Sequence, residues 1–587
     1  MKRKRADDSN KTKQALAAGQ HYGQRQNIRR ILLFRVIRGD GTGQISRDRV
    51  VKVKHSKQDL FTPAKARSSR QNQRSAGFFR RSCALFAVAG TISLLALLSC
   101  EKSASPIFPS LTTTPALTVA EVETLIAQAV EQAQRLGQSV DVAITDREGN
   151  VLGAFKMTGS PGDHTNPVTG SIAKARTAAF LSSNQHGFTS LTACFITRSH
   201  FPPGISNTPG GPLYGVPFSS IGGGDIQPNG GLAPNDPGLT GAPGGVPVFK
   251  NGLLAGGLGI SGDLTGFTLD FCSGESPDEI IALGATLGFQ TPADKRGDNI
   301  FLDGIRLLYA NAQTPPGNFT LDYNADVNGT LGAPVAGFPI IATPQAKFTP
   351  SGAVNLDLTH DFRIKAGSLL SAAEVQQIID QAVAQANRTR AAIRRPLGSP
   401  ARVFITVADV DGTILGIWRT DDATLFSFDV SAQKARTAVA YSDPAQPLGI
   451  GIRSTLGLPA GGNISFTCRA IGFLSQDFYP PGIDEETLGR PVAPGPLYQG
   501  PEFLLQNSLD SSPFGNGITI FPGGIPLYKN GQMVGAIGVS GDGVDQDDII
   551  AAAGTAGFEA PDSIRCDQFF FDGIRLPYVK FPRRPEL

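Results

Sequence analysis

From Leu117 onward the apolar positions fall on one helical face. Val122, Leu125, Ile126, Ala129 and Val130 recur at spacings of three and four behind Thr118 and Glu121, which form a capping box. The pattern starts again at Leu370, with Ser371 and Glu374 as the box. Both helices are followed by a β-rich run, Val140–Asp146 and Val403–Asp409, that turns at Glu148-Gly149-Asn150 or Asp411-Gly412 into a further apolar segment, predicting a hairpin in each case. A second helix carries Lys174-Ala175-Arg176-Thr177-Ala178, repeated without change as Lys434-Ala435-Arg436-Thr437-Ala438. Later, Asn251-Gly252 and Asn530-Gly531 sit between strand-like runs, and Asn-Gly favours the type I′ turn because both central residues need positive φ. A third helix is predicted at 277–287 and 545–556.

The chain is therefore a tandem duplication. Both copies end alike, in Phe301-Leu302-Asp303-Gly304-Ile305-Arg306 and Phe570-Phe571-Asp572-Gly573-Ile574-Arg575, where Asp and Arg are expected to lock the last strand. The units run from 117 to 309 and from 370 to 578, with a short tail at 579–587. Residues 310–369 are rich in Pro, Gly, Asn and Thr without periodicity and read as a linker or an arm draped over the domains. Helix, hairpin, helix, hairpin, helix predicts an α+β unit, an antiparallel sheet with its helices on one side.

Charge divides the chain. Residues 1–81 hold 22 Lys and Arg against 5 Asp and Glu, whereas the remainder holds 31 against 45. No cluster of basic residues interleaved with aromatics follows, so nucleic acid is not the expected partner of the folded part. The basic head, 1–81, has too little apolar content for a core and is expected to be disordered, or else to reflect a start codon assigned too far upstream. Residues 82–100 are apolar and uncharged behind Arg80-Arg81 and read as the h-region of a signal peptide, ending in Leu97-Leu98-Ser99-Cys100, which resembles the bacterial lipobox. That reading makes Cys100 the lipidation site and 101–116 a tether. It places the protein outside the cytoplasm, anchored to a membrane of the cell envelope, with the outer membrane or its periplasmic face as the expected location.

The Leu-x-x-x-Glu-Val start, Lys-Ala-x-Thr-Ala, Gly-Pro-Leu-Tyr (ending in Tyr214 and Tyr498), Gly-Gly-[Val/Ile]-Pro and Gly-[Ile/Val]-Ser-Gly together resemble the GlcG/HbpS family of haem-binding or haem-degrading domains, in two copies. The resemblance implies a profilin-like α+β fold, frequent oligomerisation, and haem or a related tetrapyrrole as a small-molecule ligand. Relative to the compact family pattern, 177–244 and 437–523 contain extra segments, including Phe201-Pro202-Pro203-Gly204-Ile205 and Tyr479-Pro480-Pro481-Gly482-Ile483.

Haem needs an axial donor and basic partners for its propionates. The residues expected to serve are Lys174, Arg176, Thr177 and Tyr214 with their counterparts Lys434, Arg436, Thr437 and Tyr498, and the loop histidines His164 and His200. The alternative leaves Lys and Arg on a wet helix face and Thr packed on the sheet. No Ser-His-Asp order, His-Glu-x-x-His or Cys-x-x-Cys motif is present, so hydrolase and zinc chemistry lack support and no catalytic residue is assigned. The function expected is a carrier or sensor of haem; a haem-degrading enzyme and a structural or oligomerisation module with a filled pocket are the alternatives. Two cysteines per unit favour the pairs Cys194–Cys272 and Cys468–Cys566 in an oxidising compartment, although Cys272 precedes the last helix and Cys566 follows it. Fused copies of an oligomerising domain are expected to pair within one chain as a pseudo-dimer.

Overall fold

The computed structural model describes residues 114–580 apart from 167–168, 206–207, 215–238, 264, 269–270, 316, 484–488, 490 and 499–515. The basic head, the apolar segment with Cys100 and the tail beyond 580 lie outside the described residues.

The first copy runs α1 (Val119–Arg135), β1 (Asp141–Asp146), β2 (Val151–Met157), α2 (Ser171–Phe180), α3 (Ser190–Thr197), β3 (Gly245–Lys250), β4 (Leu253–Ser261), α4 (Pro277–Ala285), β5 (Phe301–Leu302) and β6 (Ile305–Arg306). After β7 (Gly332–Pro334) and β8 (Gly352–Ala353), the second copy repeats the order. Its elements are α5 (Ala372–Ala386), β9 (Val403–Ala408), β10 (Ile414–Arg419), α6 (Phe426–Ser442), an added α7 (Pro447–Thr455), α8 (Cys468–Leu474), β11 (Gly524–Lys529), β12 (Gln532–Gly541), α9 (Val544–Gly554), β13 (Phe570–Phe571) and β14 (Ile574–Arg575).

The local rules hold where they were strongest. Thr118 and Ser371 cap α1 and α5, and Glu121 and Glu374 complete both boxes. Asn251 and Asn530 take φ of 53° and 51°, each followed by a positive-φ glycine, so both Asn-Gly turns close β-hairpins. In the last hairpins Asp303 and Asp572 occupy positive-φ turn positions, while Arg306 bonds the carbonyl of Asp298 at 2.5 Å and Arg575 that of Asp567 at 2.6 Å.

Each copy holds one five-stranded antiparallel sheet, ordered β3-β4-β1-β2-β7 and β11-β12-β9-β10-β8. The segment 310–369 thus supplies the outer strand of both sheets: β7 pairs with β2 and β8 with β10. The α+β class is as expected, but the helices divide between the two faces of each sheet instead of sharing one. Gly538 points toward the backbone of α6, whereas its neighbour Ile537 meets Gly554 of α9 on the opposite face, because strand side chains alternate. Gly257 and Gly259 do the same beneath α2. A Cβ at these glycines would strike helix carbonyls, which is why this sheet face is glycine-lined.

Candidate functional site

The repeated Lys-Ala-Arg-Thr-Ala segments lie on helices, α2 and α6, that are buried on every side. Lys174 Nζ bonds Asp278 Oδ2 and the Ile260 carbonyl, both at 2.7 Å; Lys434 Nζ bonds Asp547 Oδ2 at 2.7 Å and the Val539 carbonyl at 2.8 Å. Arg176 and Arg436 donate to the turn carbonyls of Gly149 and Gly412. Thr177 and Thr437 accept from the backbone N–H of Thr240 and Thr519. Buried on every side, these side chains do not form a wet helix face: Lys174 and Lys434 are ionic staples whose charges Asp278 and Asp547 match, while the Arg and Thr side chains hydrogen-bond turn and loop backbone.

Tyr214, Tyr498 and His200 are, by contrast, brought together. They lie where the two Pro-Pro segments meet, and the contact joins matching positions of the duplication. The Tyr214 hydroxyl is hydrogen-bonded to that of Tyr498. The His200 ring lies 5.4 Å from Phe478, its counterpart in the second copy. Gly210 N–H donates to Gln476 Oε1 at 3.1 Å. Burial, then the neighbouring Tyr498 and Asp477, push the Tyr214 phenol up; burial and Asp477 push Tyr498 up. His200 Nδ1 lies 3.1 Å from the Thr208 carbonyl. A carbonyl only accepts, so in the neutral ring Nδ1 carries the proton and Nε2 keeps the lone pair. That Nε2 is 3.9 Å from Asp477, whose buried Oδ1 has no hydrogen-bond partner. Arg198, which donates to the Cys194 carbonyl, is close enough to Tyr214 to lower its pKa and is a basic group of this seam.

His164 lies apart from the seam, 3.5 Å from the Asp141 carboxylate and edge-on to Phe338.

A second contact region between the copies was not read from the sequence. Asp422 accepts from Arg147 Nη2 at 2.7 Å, from Arg394 Nη1 and from the Asn184 N–H. Arg394 also binds Asp542 and, at 3.2 Å, Gln185 Oε1. Burial alone would raise the Asp422 pKa; the Arg147 and Arg394 guanidiniums outweigh it and hold the carboxylate charged. His186 sits beside this network, bonded to Ser183 Oγ, and burial together with Arg394 lowers its pKa to about 3.

Of the expected disulfides one is present and one is not. Cys194 and Cys272 are bonded. Cys468 and Cys566 are free, buried thiols, each directed at a backbone carbonyl, of Lys434 and Pro577. The helix caps explain the difference. Thr189 and Thr467 cap α3 and α8. Counted from them, Cys468 matches Ser190, while Cys194, one turn later, matches Gly472. Cys566 likewise takes the place of Gly297, and the loop that carries Cys272 has no counterpart in the second copy.

The profile of the family described as haem degrading protein HbpS-like matches residues 117–267 and 370–556. The corrinoid adenosyltransferase PduO of Salmonella typhimurium is 26% identical over 168 residues, 29% of this chain and 35% of that protein. An uncharacterised 15.0 kDa protein from the dhaT-dhaS intergenic region of Citrobacter freundii is 28% identical over 177 residues, 30% of this chain and 90% of that protein. The chain thus spans about a third of the PduO proteins it matches. Among solved structures, the PduOC:haem complex shares 23% identity over 33% of this chain and 96% of its own, with a TM-score of 0.21, and HbpS shares 20% over 33% and 93%, with a TM-score of 0.19. With both copies matched, over more than half its length, this chain belongs to the HbpS-like family.

Proposed function

We propose that the protein binds haem or a related tetrapyrrole at the seam between its two copies and serves as a carrier or sensor at the cell envelope, held there by acylated Cys100. The observation that carries this reading is the convergence of Tyr214, Tyr498 and His200. The donor types fit the group: a tyrosine oxygen and an imidazole are axial ligands of haem iron, the iron having to displace a phenol proton that burial and Asp477 hold in place, and the adjoining Arg198 suits a propionate. The staples Lys174, Lys434, Arg176 and Arg436 take no part. The two copies act as a built-in dimer, which is what lets one seam draw donors from both. The alternative reading, a structural module, draws on the Tyr214–Tyr498 hydrogen bond, through which the phenols already satisfy each other.

Adding haemin to the full chain tests the reading. A saturable Soret shift at micromolar haemin is expected, weakened about tenfold or more when Tyr214, Tyr498 and His200 are replaced together by Phe, Phe and Ala. No shift, or a shift indifferent to the triple replacement, contradicts it. For the anchor, Cys100→Ser should abolish labelling by a fatty-acid probe and free the protein from membranes.

A further inference from the structure

Asp477 neighbours both phenols and the imidazole of the seam. Its charge acts on Tyr214 and on Tyr498, and its Oδ2 lies 3.9 Å from His200 Nε2. The Thr208 carbonyl leaves the neutral His200 ring with its lone pair on Nε2, so two acceptors face one another across a gap too wide for a hydrogen bond. A cation between them satisfies both. Solvent reaches this gap, since the His200 and Asp477 side chains are 31% and 25% exposed and the buried carboxylate oxygen is Oδ1, not Oδ2.

The spacings suit one small ion. Bonds of about 2.1 Å in octahedral geometry put adjacent donors about 3.0 Å and opposite donors about 4.2 Å apart. The Nε2–Oδ2 distance falls inside that range, and two hydrogen-bonded phenol oxygens stand as adjacent donors do. Among the described residues no three His, Cys, Asp or Glu side chains gather closely enough to hold a metal ion, so the phenols are what complete the set. Two phenolates and a carboxylate sum to three negative charges on hard oxygen donors, which favours a trivalent ion over zinc or copper. Both copies are needed: Asp477 stands where the first copy has Ser199, and His200 where the second has Phe478.

We propose that the seam holds a ferric ion directly, ligated by Tyr214, Tyr498, His200 Nε2 and Asp477 Oδ2. Each phenol gives up its proton to solvent as its oxygen bonds the iron, which stays ferric. Burial and Asp477 favour the protonated phenols, and a trivalent charge beside them reverses that balance. Arg198 beside Tyr214 opposes the bare cation, and a small anion in one of the two remaining coordination positions offsets it. The proposal rests on the haem reading for its site, but not for a porphyrin.

Titration of the full chain, freed of metal by chelation, with ferric nitrilotriacetate tests it. A phenolate-to-iron charge-transfer band in the visible is expected, saturating at one iron per chain with release of about two protons. Tyr214→Phe and Tyr498→Phe should each weaken binding about tenfold or more, and His200→Gln several-fold. Asp477→Asn separates the two ligands. It should weaken ferric binding about tenfold or more yet leave haemin binding unchanged or tighter, because losing the carboxylate eases loss of the phenol proton. No band at millimolar ferric nitrilotriacetate overturns the proposal, whatever the haemin titration shows. So does a band that the tyrosine variants or Asp477→Asn leave intact, or zinc bound more tightly than iron.

Discussion

The two contact regions between the copies are built on different principles. At the aromatic seam, residues meet their own counterparts: Tyr214 meets Tyr498, and His200 meets Phe478. At the ionic region, Arg147, Asn184 and Gln185 of the first copy meet Asp422, Arg394 and Ser399 of the second, and none of these pairs matches positions. Matched contacts are what a twofold relation between copies generates from a single sequence, each position facing itself. Away from the axis a twofold relation gives unmatched contacts in reciprocal pairs, and the ionic contacts lack the reciprocal set, since Val410 stands where the first copy has Arg147. The seam therefore joins like positions of the two copies, and the ionic region joins unlike ones.

The largest effect that separates them is expected at Asp422. Asp422→Asn leaves Arg147 and Arg394 buried without their shared charge and should cost about 3–5 kcal/mol in denaturant unfolding. A loss below about 1 kcal/mol would mean that the network contributes little to holding the copies together. Covalent closure ranks next. Cys194→Ser should cost about 2–4 kcal/mol, whereas Cys468→Ser, at a position where the first copy already has serine, should change stability by about 1 kcal/mol or less. Equal losses would contradict the one-sided disulfide.

The ionic region should also titrate. His186 has a folded pKa of about 3 against an ordinary 6.5, so below pH 6.5 the unfolded chain takes up a proton that the folded chain refuses, and stability falls as pH falls toward 3. Glu279, raised by burial to about 7, and Asp146 and Asp547, raised by burial to about 6, work in the opposite direction, because the folded state holds their protons more tightly. The difference between wild type and His186→Gln isolates the histidine, with a slope approaching about 1.4 kcal/mol per pH unit in that window. A flat difference would place the ring in contact with water. The smallest effect belongs to the seam: Tyr214→Phe removes one hydroxyl from a hydrogen bond and should cost about 1 kcal/mol.

What the sequence made legible follows the same division. The capping boxes, the Asn-Gly turns and the repeat are local or self-similar signals, and each appears in the fold where the pattern put it. Tyr214 and Tyr498 end the same repeated Gly-Pro-Leu-Tyr, and their hydroxyls hydrogen-bond in the fold. The acid partners of Lys174 and Lys434 lie 104 and 113 residues away, beyond any periodicity, so no local pattern shows these two ion pairs. Strands β7 and β8, three and two residues long, are too short to show alternation and exist because a neighbouring strand offers an edge. A count of two cysteines per unit points to a second disulfide, but in the register of Thr467 on Thr189 Cys468 stands opposite Ser190, not Cys194.

The central claim, one tetrapyrrole held between two copies, is tested most directly by stoichiometry. Haemin titrated into the full chain, followed at the Soret band and checked by metal analysis of the isolated complex, should saturate at one haem per chain, because each chain has a single seam with Tyr214, Tyr498 and His200 around it. Saturation at two haems per chain would show that each copy binds its own and would contradict the shared site.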